Sequence, residues 1–249
     1  MLTRLRTVLI GTSHAGNIGG VARAMHNMGL DDLALVAPRS SVIHQDSISR
    51  ASGADHLLHS ARISPTLDDA VADCTFVVGA SARSRTLPWP MLSPRALAAR
   101  LPEETRQPNA RVALVFGRED SGLTNDELQR CHAHVHIPTN PDFSSLNLAA
   151  AVQVVAYECR TAWLERQATP ADDGSADDAG LATHADLERY FAHLEQTLTA
   201  VGFHDPDKPR QLMARLRRLY LRARLEPLEI NILRGILTAT DKASRPPRS

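Results

Sequence analysis

The chain has 249 residues, 43% of them hydrophobic, which is enough for one large domain or for a medium domain with an appendage. Its 28 basic and 28 acidic side chains give a formal net charge of zero, which argues against a polyanion-binding surface over the whole molecule. Three scattered cysteines cannot form a disulfide framework and indicate a reduced, cytoplasmic setting. The N-terminus lacks the pattern of a secretory signal, and no apolar run is long enough to span a membrane.

Charge is distributed unevenly along the chain. Residues 1–167 carry 16 basic and 16 acidic side chains, whereas residues 183–249 carry 12 basic and 8 acidic ones. Between them, residues 168–182 contain four aspartates and no base, a composition that predicts a flexible acidic linker. We therefore expect a main domain over 1–167 and a helical, basic C-terminal domain over 183–249.

Short apolar runs alternate with helical patterns in the first two-thirds of the chain, which predicts an α/β fold with a mainly parallel sheet. Thr124 and Glu127 form a capping-box pattern, and Gly29 has the position of a helix C-cap. The predicted strands are Val8–Ile10, Leu33–Val36, Phe76–Val78, Val112–Phe116 and Val135–Ile137. The predicted helices are Ile18–Met28, Ile43–Ala51, Leu67–Ala72, Pro94–Leu101, Asn125–Cys131, 148–167, Asp186–Thr199, Arg210–Arg224 and Pro227–Thr240.

Ligands of open α/β sheets bind in the loops that follow the strands. The loop after the first strand, Gly11–Gly20, is rich in glycine but contains neither a P-loop nor a G-x-G-x-x-G pattern. The second strand ends without the acidic residue that would bind a ribose. These observations argue against a dinucleotide site, a kinase and an ordinary Rossmann-type methyltransferase.

Three later segments have the composition of ligand-binding loops. Small residues and two arginines in Gly79–Arg85 suit a phosphate-bearing ligand. The segment Gly117–Leu123 is a predicted turn that contains both basic and acidic side chains. The segment 137–148 places serines and an asparagine where a long apolar helix begins, which gathers hydroxyls and free amides. Taken singly, each segment is also compatible with an ordinary surface loop, and Arg23 with a solvated helix face.

Together the loops resemble the SPOUT superfamily of RNA methyltransferases, in its 2′-O-ribose branch. The resemblance rests on Asn17-Ile-Gly-Gly-Val-Ala-Arg23, on Phe116-Gly-Arg-Glu119-x-x-Gly122-Leu and on Ile137-Pro138 followed by Ser144-Ser-Leu-Asn-Leu148. Residues 79–90 and 228–237 extend it to members that methylate the ribose of nucleotide 32, C or U, in the tRNA anticodon loop. The resemblance implies a SPOUT fold with a parallel sheet and a deep C-terminal trefoil knot within about residues 75–165, plus a small α-helical C-terminal domain.

The same resemblance implies a homodimer that binds S-adenosylmethionine and tRNA. Arg23 would enter the partner's site, where its guanidinium is better suited to stabilise a developing alkoxide than to accept a proton. Glu119 would either contact the cofactor's surroundings or hold the turn at Gly122. The residues implied in catalysis are Arg23, Asn17, Ser145, Asn147 and Glu119. The residues implied in cofactor binding are Ala80, Ser81, Ala82, Gly117, Ile137, Ser144, Ser145 and Leu146.

A helix with a basic surface is predicted in the C-terminal domain. Its leucines, Leu212, Leu216 and Leu219, are spaced to pack, and no acid occurs between Lys208 and Leu225 to pair with its arginines. The uncompensated charge favours contact with RNA phosphates over a merely solvated face. The residues expected to contact RNA are Arg83, Arg85, Arg215, Arg217, Arg218, Arg222 and Arg224.

The remaining signals are assigned to structure. His132, His134 and His136 alternate on a predicted strand, but they lack a fourth ligand, so we expect no metal. Trp89 and Trp163 are expected to pack rather than stack on bases. Two other functions stay open: a methyltransferase of the same fold acting on another tRNA position or on rRNA, and a non-catalytic RNA-binding module.

Overall fold

The computed structural model describes residues 1–81, 89–168 and 180–244. Within these ranges, seven parallel strands form one sheet that helices flank. The strands are β1 (Leu5–Ile10), β2 (Asp32–Val36), β3 (Arg62–Ser64), β4 (Phe76–Ala80), β5 (Met91–Leu92), β6 (Val112–Phe116) and β7 (Ala133–Val135). The helices are α1 (Ala15–Met28), α2 (Gln45–Ala51), α3 (Asp55–His59), α4 (Leu67–Ala70), α5 (Pro94–Glu104), α6 (Asn125–Gln129), α7 (Leu148–Ala168), α8 (His184–Ala200), α9 (Leu212–Ala223) and α10 (Pro227–Ala243).

The strand order is β3-β2-β1-β6-β4-β7-β5, so the predicted parallel α/β architecture is confirmed. All six residues of β1 are buried, because helices cover both faces of a parallel sheet. Gly79 pairs with Val115 and Ala80 with Val135, which brings the carboxyl ends of β4, β6 and β7 together. The position of β7 between β4 and β5 is consistent with a trefoil knot, and the knot itself stays a prediction.

Helix α1 packs against both α2 and α7. Its contact with α2 requires a glycine, because a Cβ at position 19 would lie far inside van der Waals distance of the Ser47 carbonyl oxygen. The helix ends, as predicted, at Gly29, whose φ of 74° is a left-handed conformation that glycine adopts without strain. The start of α1 is thereby held between two helices and beside the carboxyl end of β1.

The C-terminal helices α8, α9 and α10 pack around a small core of their own that includes Trp89. They contact the amino end of β4: the amide of His184 donates to the carbonyl of Cys74 at 2.8 Å, and Arg224 donates to the carbonyl of Thr75 at 2.7 Å. The carboxyl ends of the strands therefore lie at the opposite edge of the sheet from these helices.

The predicted linker is described only at its two ends. Ala168 is the last residue of α7, and Ala182 is buried, with its amide donating to the carbonyl of Leu225 at 2.8 Å. The stretch 169–179 lies outside the described residues, so the domain boundaries stay a prediction. In the described portion of the chain, no helix is both long and apolar enough to cross a membrane.

Candidate active site at the carboxyl ends of the strands

A cavity of about 510 Å³ opens where β4, β6 and β7 end. The loop before α7 forms its far wall, and the turn after β6 forms its rim. Its lining combines small, apolar and hydroxyl side chains with three charged residues of the turn after β6, Arg118, Glu119 and Asp120, which suits a small molecule that has both apolar and polar parts. It is lined by seven of the residues expected to bind a cofactor: Ala80, Ser81, Gly117, Ile137, Ser144, Ser145 and Leu146.

The turn after β6 is fixed by close packing and by one ion pair. Gly117 lies directly against the backbone of Gly122, where a Cβ could not fit. Arg118 and Gly122 exchange backbone hydrogen bonds of 3.2 and 2.9 Å. The guanidinium of Arg118 then pairs with both carboxylate oxygens of Glu127, at 2.9 and 3.0 Å, in the predicted capping box of α6. This arrangement holds the next residue, Glu119, at the rim of the cavity.

Three side chains form a hydrogen-bonded series beside this cavity, which Glu119 lines and Asn17 and Asn147 do not. Asn17 donates from Nδ2 to Oε1 of Glu119 at 3.0 Å, and its Oδ1 accepts from Nδ2 of Asn147, also at 3.0 Å. The Oδ1 of Asn147 accepts from the amide of Ala149 at 2.9 Å, which is consistent with its Nδ2 being the donor to Asn17. These hydrogen bonds join α1, the turn after β6 and the start of α7. The three loops that contain these residues were the ones that the sequence placed together.

Glu119 is held in its ionised form. Burial of its side chain opposes ionisation, but hydrogen bonds from Asn17 and from the backbone around Ser13 outweigh it, so that the pKa of Glu119 is lowered. The amide of Ser13 donates to Oε2 at 3.2 Å, and the hydroxyl of the same residue donates at 3.3 Å. Ser13 was not identified from the sequence as a site residue. Its place in the loop that follows β1 was the feature that could have indicated it.

Two interpretations of the sequence need revision. Helix α1 was predicted to begin at Ile18, but it begins at Ala15 with His14 as N-cap, so that Asn17 lies within the first turn and its side-chain amide forms the hydrogen bonds described above. Glu119 does not hold the turn at Gly122, because Arg118 closes that turn. Glu119 instead binds Asn17 and Ser13 on the other side of the rim.

Comparison with known proteins bears on the same two parts of the chain. Residues 4–157 match the SpoU rRNA Methylase family, and residues 185–249 match the C-terminal domain of the tRNA methyltransferase TrmJ. The chain belongs to the SpoU methylase family. It also has the SPOUT fold that the sequence predicted.

Relatives within the SpoU methylase family match over nearly the whole chain. The tRNA (cytidine/uridine/adenosine-2′-O-)-methyltransferase TrmJ of Pseudomonas aeruginosa is 56% identical, over 98% of this chain and 96% of its own length. The tRNA (cytidine/uridine-2′-O-)-methyltransferase TrmJ of Yersinia enterocolitica is 52% identical, over 100% and 95%. The crystal structure of TrmJ from Z. mobilis ZM4 superposes with a TM-score of 0.81 at 35% identity, over 95% of this chain and 98% of its own.

Two of the expected catalytic residues of this SpoU methylase have no hydrogen-bond or ionic partner among the described residues. Ser145 lies in the wall of the cavity with its hydroxyl unbonded. Arg23 is exposed on α1 and does not line that cavity. It also does not line a second cavity, which lies between the starts of α1 and α2. A single chain therefore does not bring Arg23 to the site.

The arginines of α9 divide into two groups. Arg217 pairs with both carboxylate oxygens of Glu188 and lies over the ring of Phe191, at 4.5 Å from the guanidinium carbon to the ring centroid. Arg224 pairs with Glu104, and burial lowers its pKa although that carboxylate opposes the effect. Acids distant in sequence thus compensate both charges, which the local sequence did not indicate, and contact of these two arginines with RNA stays a prediction. Arg215 and Arg222 are exposed, and Arg218 is partly buried.

The remaining predicted residues are placed as follows. Ala82, Arg83 and Arg85 lie outside the described residues, so their roles stay predictions. The rings of His132 and His134 are buried and bond to backbone groups of Val77 and Leu128 at 3.1 and 2.9 Å. No group of three or more potential metal ligands occurs within the described ranges.

Proposed function

We propose that this chain is a tRNA 2′-O-methyltransferase that uses S-adenosylmethionine and methylates the ribose of nucleotide 32, C or U, in the anticodon loop. The observation that carries the proposal is the hydrogen-bonded series Glu119–Asn17–Asn147, which joins three loops beside a small-molecule cavity that Glu119 lines. Full-length similarity to proteins named as tRNA 2′-O-methyltransferases supports the same substrate. We further propose that residues 1–167 perform catalysis and that residues 183–249 bind tRNA.

The residues of the first cavity fit S-adenosylmethionine. Its volume of about 510 Å³ lies within the range of cofactor sites. Ala80 is small enough to allow close approach to the backbone, Ile137 and Leu146 offer apolar surface to a flat base, and Ser144 offers a hydroxyl. When bound, S-adenosylmethionine supplies an electrophilic methyl group.

The polar side chains at the rim hold the attacking ribose hydroxyl and its proton. Asn147 and Asn17 orient one another, and ionised Glu119 fixes the Asn17 amide. Ser145 offers an unbonded hydroxyl from the opposite wall. A guanidinium remains protonated in the neutral pH range, so Arg23 would stabilise negative charge developing on the 2′-oxygen and bind the adjacent phosphate.

A homodimer would supply Arg23 to the cavity of the other subunit. Helix α7 packs against α1, and it exposes large apolar side chains at Val154, Tyr157 and Leu164, which favours burial of this surface against a second copy. A complementation experiment tests this arrangement. Mixed dimers of Arg23→Ala and Asn147→Ala chains contain one intact site if Arg23 acts in the partner and none if it acts in its own chain.

Both single variants are expected to be inactive, and reassociation of an equal mixture should recover about one quarter of wild-type activity, because half of the dimers are mixed and each contains one intact site. No recovery, with mixed dimers demonstrated by differently tagged chains, would contradict exchange of Arg23 between subunits. Affinity for S-adenosylmethionine should remain nearly unchanged in Arg23→Ala, which separates loss of catalysis from loss of cofactor.

The proposed reaction is tested by methyl transfer to unmodified tRNA, followed by alkaline hydrolysis. A 2′-O-methyl group removes the nucleophile that cleaves the neighbouring phosphodiester, so one resistant linkage should appear after nucleotide 32. Resistance at another position, or in rRNA only, would favour the alternative substrates. RNA binding without any resistant linkage would favour a non-catalytic module.

A further inference from the structure

A second cavity, which we call the α1–α2 cavity, lies beside the first one. Its volume is about 530 Å³, and it is formed by the start of α1, the start of α2 and the loop after β1. Among the described residues, only Glu119 lines both cavities. A ligand in the α1–α2 cavity would therefore touch the group that holds Asn17 at the rim of the proposed methyl-transfer site.

Arg50 is the one arginine or lysine among the described residues that line this cavity. Its side chain lies over the first turn of α1, so closely that a Cβ on Gly16 would be 2.8 Å from both its Cδ and its Nε. No hydrogen bond or ion pair joins Arg50 to any other described residue. Since the amino end of a helix is itself partly positive, a cation in this position is stabilised by an anionic ligand.

His44 adds a directional donor. Its Nδ1 accepts the amide N–H of Asp46 at 3.1 Å, as the N-cap of α2. The neutral ring therefore has its proton on Nε2, and that nitrogen has no partner in the described part of the chain. On the opposite wall, the hydroxyl of Ser13 and Nδ1 of His14 lie 2.8 Å apart.

The cavity also contains two carboxylates, which limits the ligands that it can bind. Glu119 faces it from the rim, and Asp46 faces it from α2 with 71% of its side chain exposed. Two negative groups beside one arginine disfavour a free inorganic anion. The mixture of one cation, neutral donors and acceptors suits a ligand that combines a phosphate with hydroxyls and a polar ring.

We propose that the α1–α2 cavity binds one unstacked nucleotide of the RNA substrate, with a phosphate on Arg50 and the ribose toward Glu119. The proposal rests on the proposed function and names the part of the RNA that this site receives. The cavity volume is in the range of small-molecule sites, and nucleotides of single-stranded loops are readily splayed out for recognition. The wall shared through Glu119 would direct the ribose hydroxyl into the first cavity.

The first experiment compares Arg50→Ala with Arg106→Ala. Arg106 is a matched control, because it is an arginine paired at 2.7 Å with Glu103 at the end of α5, near the amino ends of the strands. Loss of a charge-assisted phosphate contact should raise the KM for tRNA about 10- to 100-fold in Arg50→Ala. The kcat and the affinity for S-adenosylmethionine should change less than about twofold, and Arg106→Ala should match wild type. Equal KM values for the two variants would overturn the proposal.

The second experiment measures binding without methyl transfer. Titration of the histidine-labelled protein with cytidine monophosphate should shift the NMR signals of His14 and His44, and Arg50→Ala should reduce this affinity to that for cytidine. Inorganic phosphate binding as tightly as cytidine monophosphate, or no shift with either ligand, would refute a nucleotide site. If the nucleotide binds but wild-type protein methylates no tRNA, the proposed function fails while the site stands.

Discussion

Replacing Glu119 by glutamine tests whether the hydrogen-bonded chain at the rim is one coupled unit. The carboxylate accepts three hydrogen bonds, from Asn17 Nδ2 at 3.0 Å and from the amide and hydroxyl of Ser13 at 3.2 and 3.3 Å. Glutamine has the same size but only one acceptor oxygen. In either orientation of the glutamine side chain, its NH2 group would therefore face a donor, either Asn17 or Ser13, whose hydrogen bond the carboxylate now accepts.

The expected cost follows from the burial of the group. Only 18% of the Glu119 side chain is exposed, so a lost hydrogen bond to its charge should destabilise the protein by about 2 kcal/mol. For a domain of this size, that cost corresponds to a fall in Tm of about 4 to 8 °C. Methyl transfer should fall at least about tenfold, because Asn17 and Asn147 lose their fixed orientation. Glu103→Gln is the control, since that side chain is 70% exposed and should leave both values unchanged.

The pH dependence supplies an independent check. Because the pKa of Glu119 is lowered below its ordinary value of 4.5, its stabilising contribution is present above about pH 4.5 and is lost as the pH falls through the folded-state value. The stability difference between wild type and Glu119→Gln should therefore shrink in acid. In a double-mutant cycle with Asn17→Ala, coupling of about 1 kcal/mol or more is expected. Additive effects of the two substitutions would refute the reasoning.

Three further predictions concern packing and RNA affinity. Arg224→Ala should destabilise the protein by about 1 to 3 kcal/mol in urea unfolding, because buried Glu104 loses one of its two arginine partners and the Thr75 carbonyl loses its donor from Arg224, whereas exposed Arg222→Ala should not; equal stabilities would contradict the docking contact. Gly19→Ala should lower the free energy of unfolding by about 1 to 3 kcal/mol, because its Cβ would clash with the backbone of Ser47. Gly235→Ala is the control: its Cβ would point into open space, so it should be neutral or stabilising, and the opposite order would contradict the α1–α2 contact. Neutralising Arg215 and Arg222 together should flatten the salt dependence of tRNA affinity, and an unchanged slope would remove these residues from the RNA interface.

The sequence predicted the buried centre of the sheet better than its edges. The four runs at the centre, such as Val112–Phe116, are continuous and apolar because helices cover both faces there. The edge strands Arg62–Ser64 and Met91–Leu92 were missed, since each is short and partly exposed, and neighbouring strands rather than an apolar pattern define them. The last strand was predicted two residues too late, because buried His134 interrupts the apolar pattern that the prediction followed.

Helix α9 shows why contacts between distant residues limit such predictions. The leucine spacing predicts packing for Leu219, but that side chain is 49% exposed, whereas Leu221 is 3% exposed. The partners that orient the helix, such as Glu188 for Arg217, are far away in the chain, so no local pattern could reveal them. The cavity residues were easier to predict, because each lies at the end of a strand, or in the loop after a strand, that ends at the same edge of the sheet.

The docking of the C-terminal helices has a consequence for how the substrate is selected. Arg224 binds beside Thr75 at the amino end of β4, while the first cavity begins at Ala80, so a strand about 16 Å long separates the two. An RNA that contacts α9 and places a ribose in the cavity of the same chain must extend along the whole sheet. The proposed tRNA substrate would then be held at two places that lie at least one strand length apart. The spacing between these two contacts would restrict which RNA shapes fit, independently of the bases that they present.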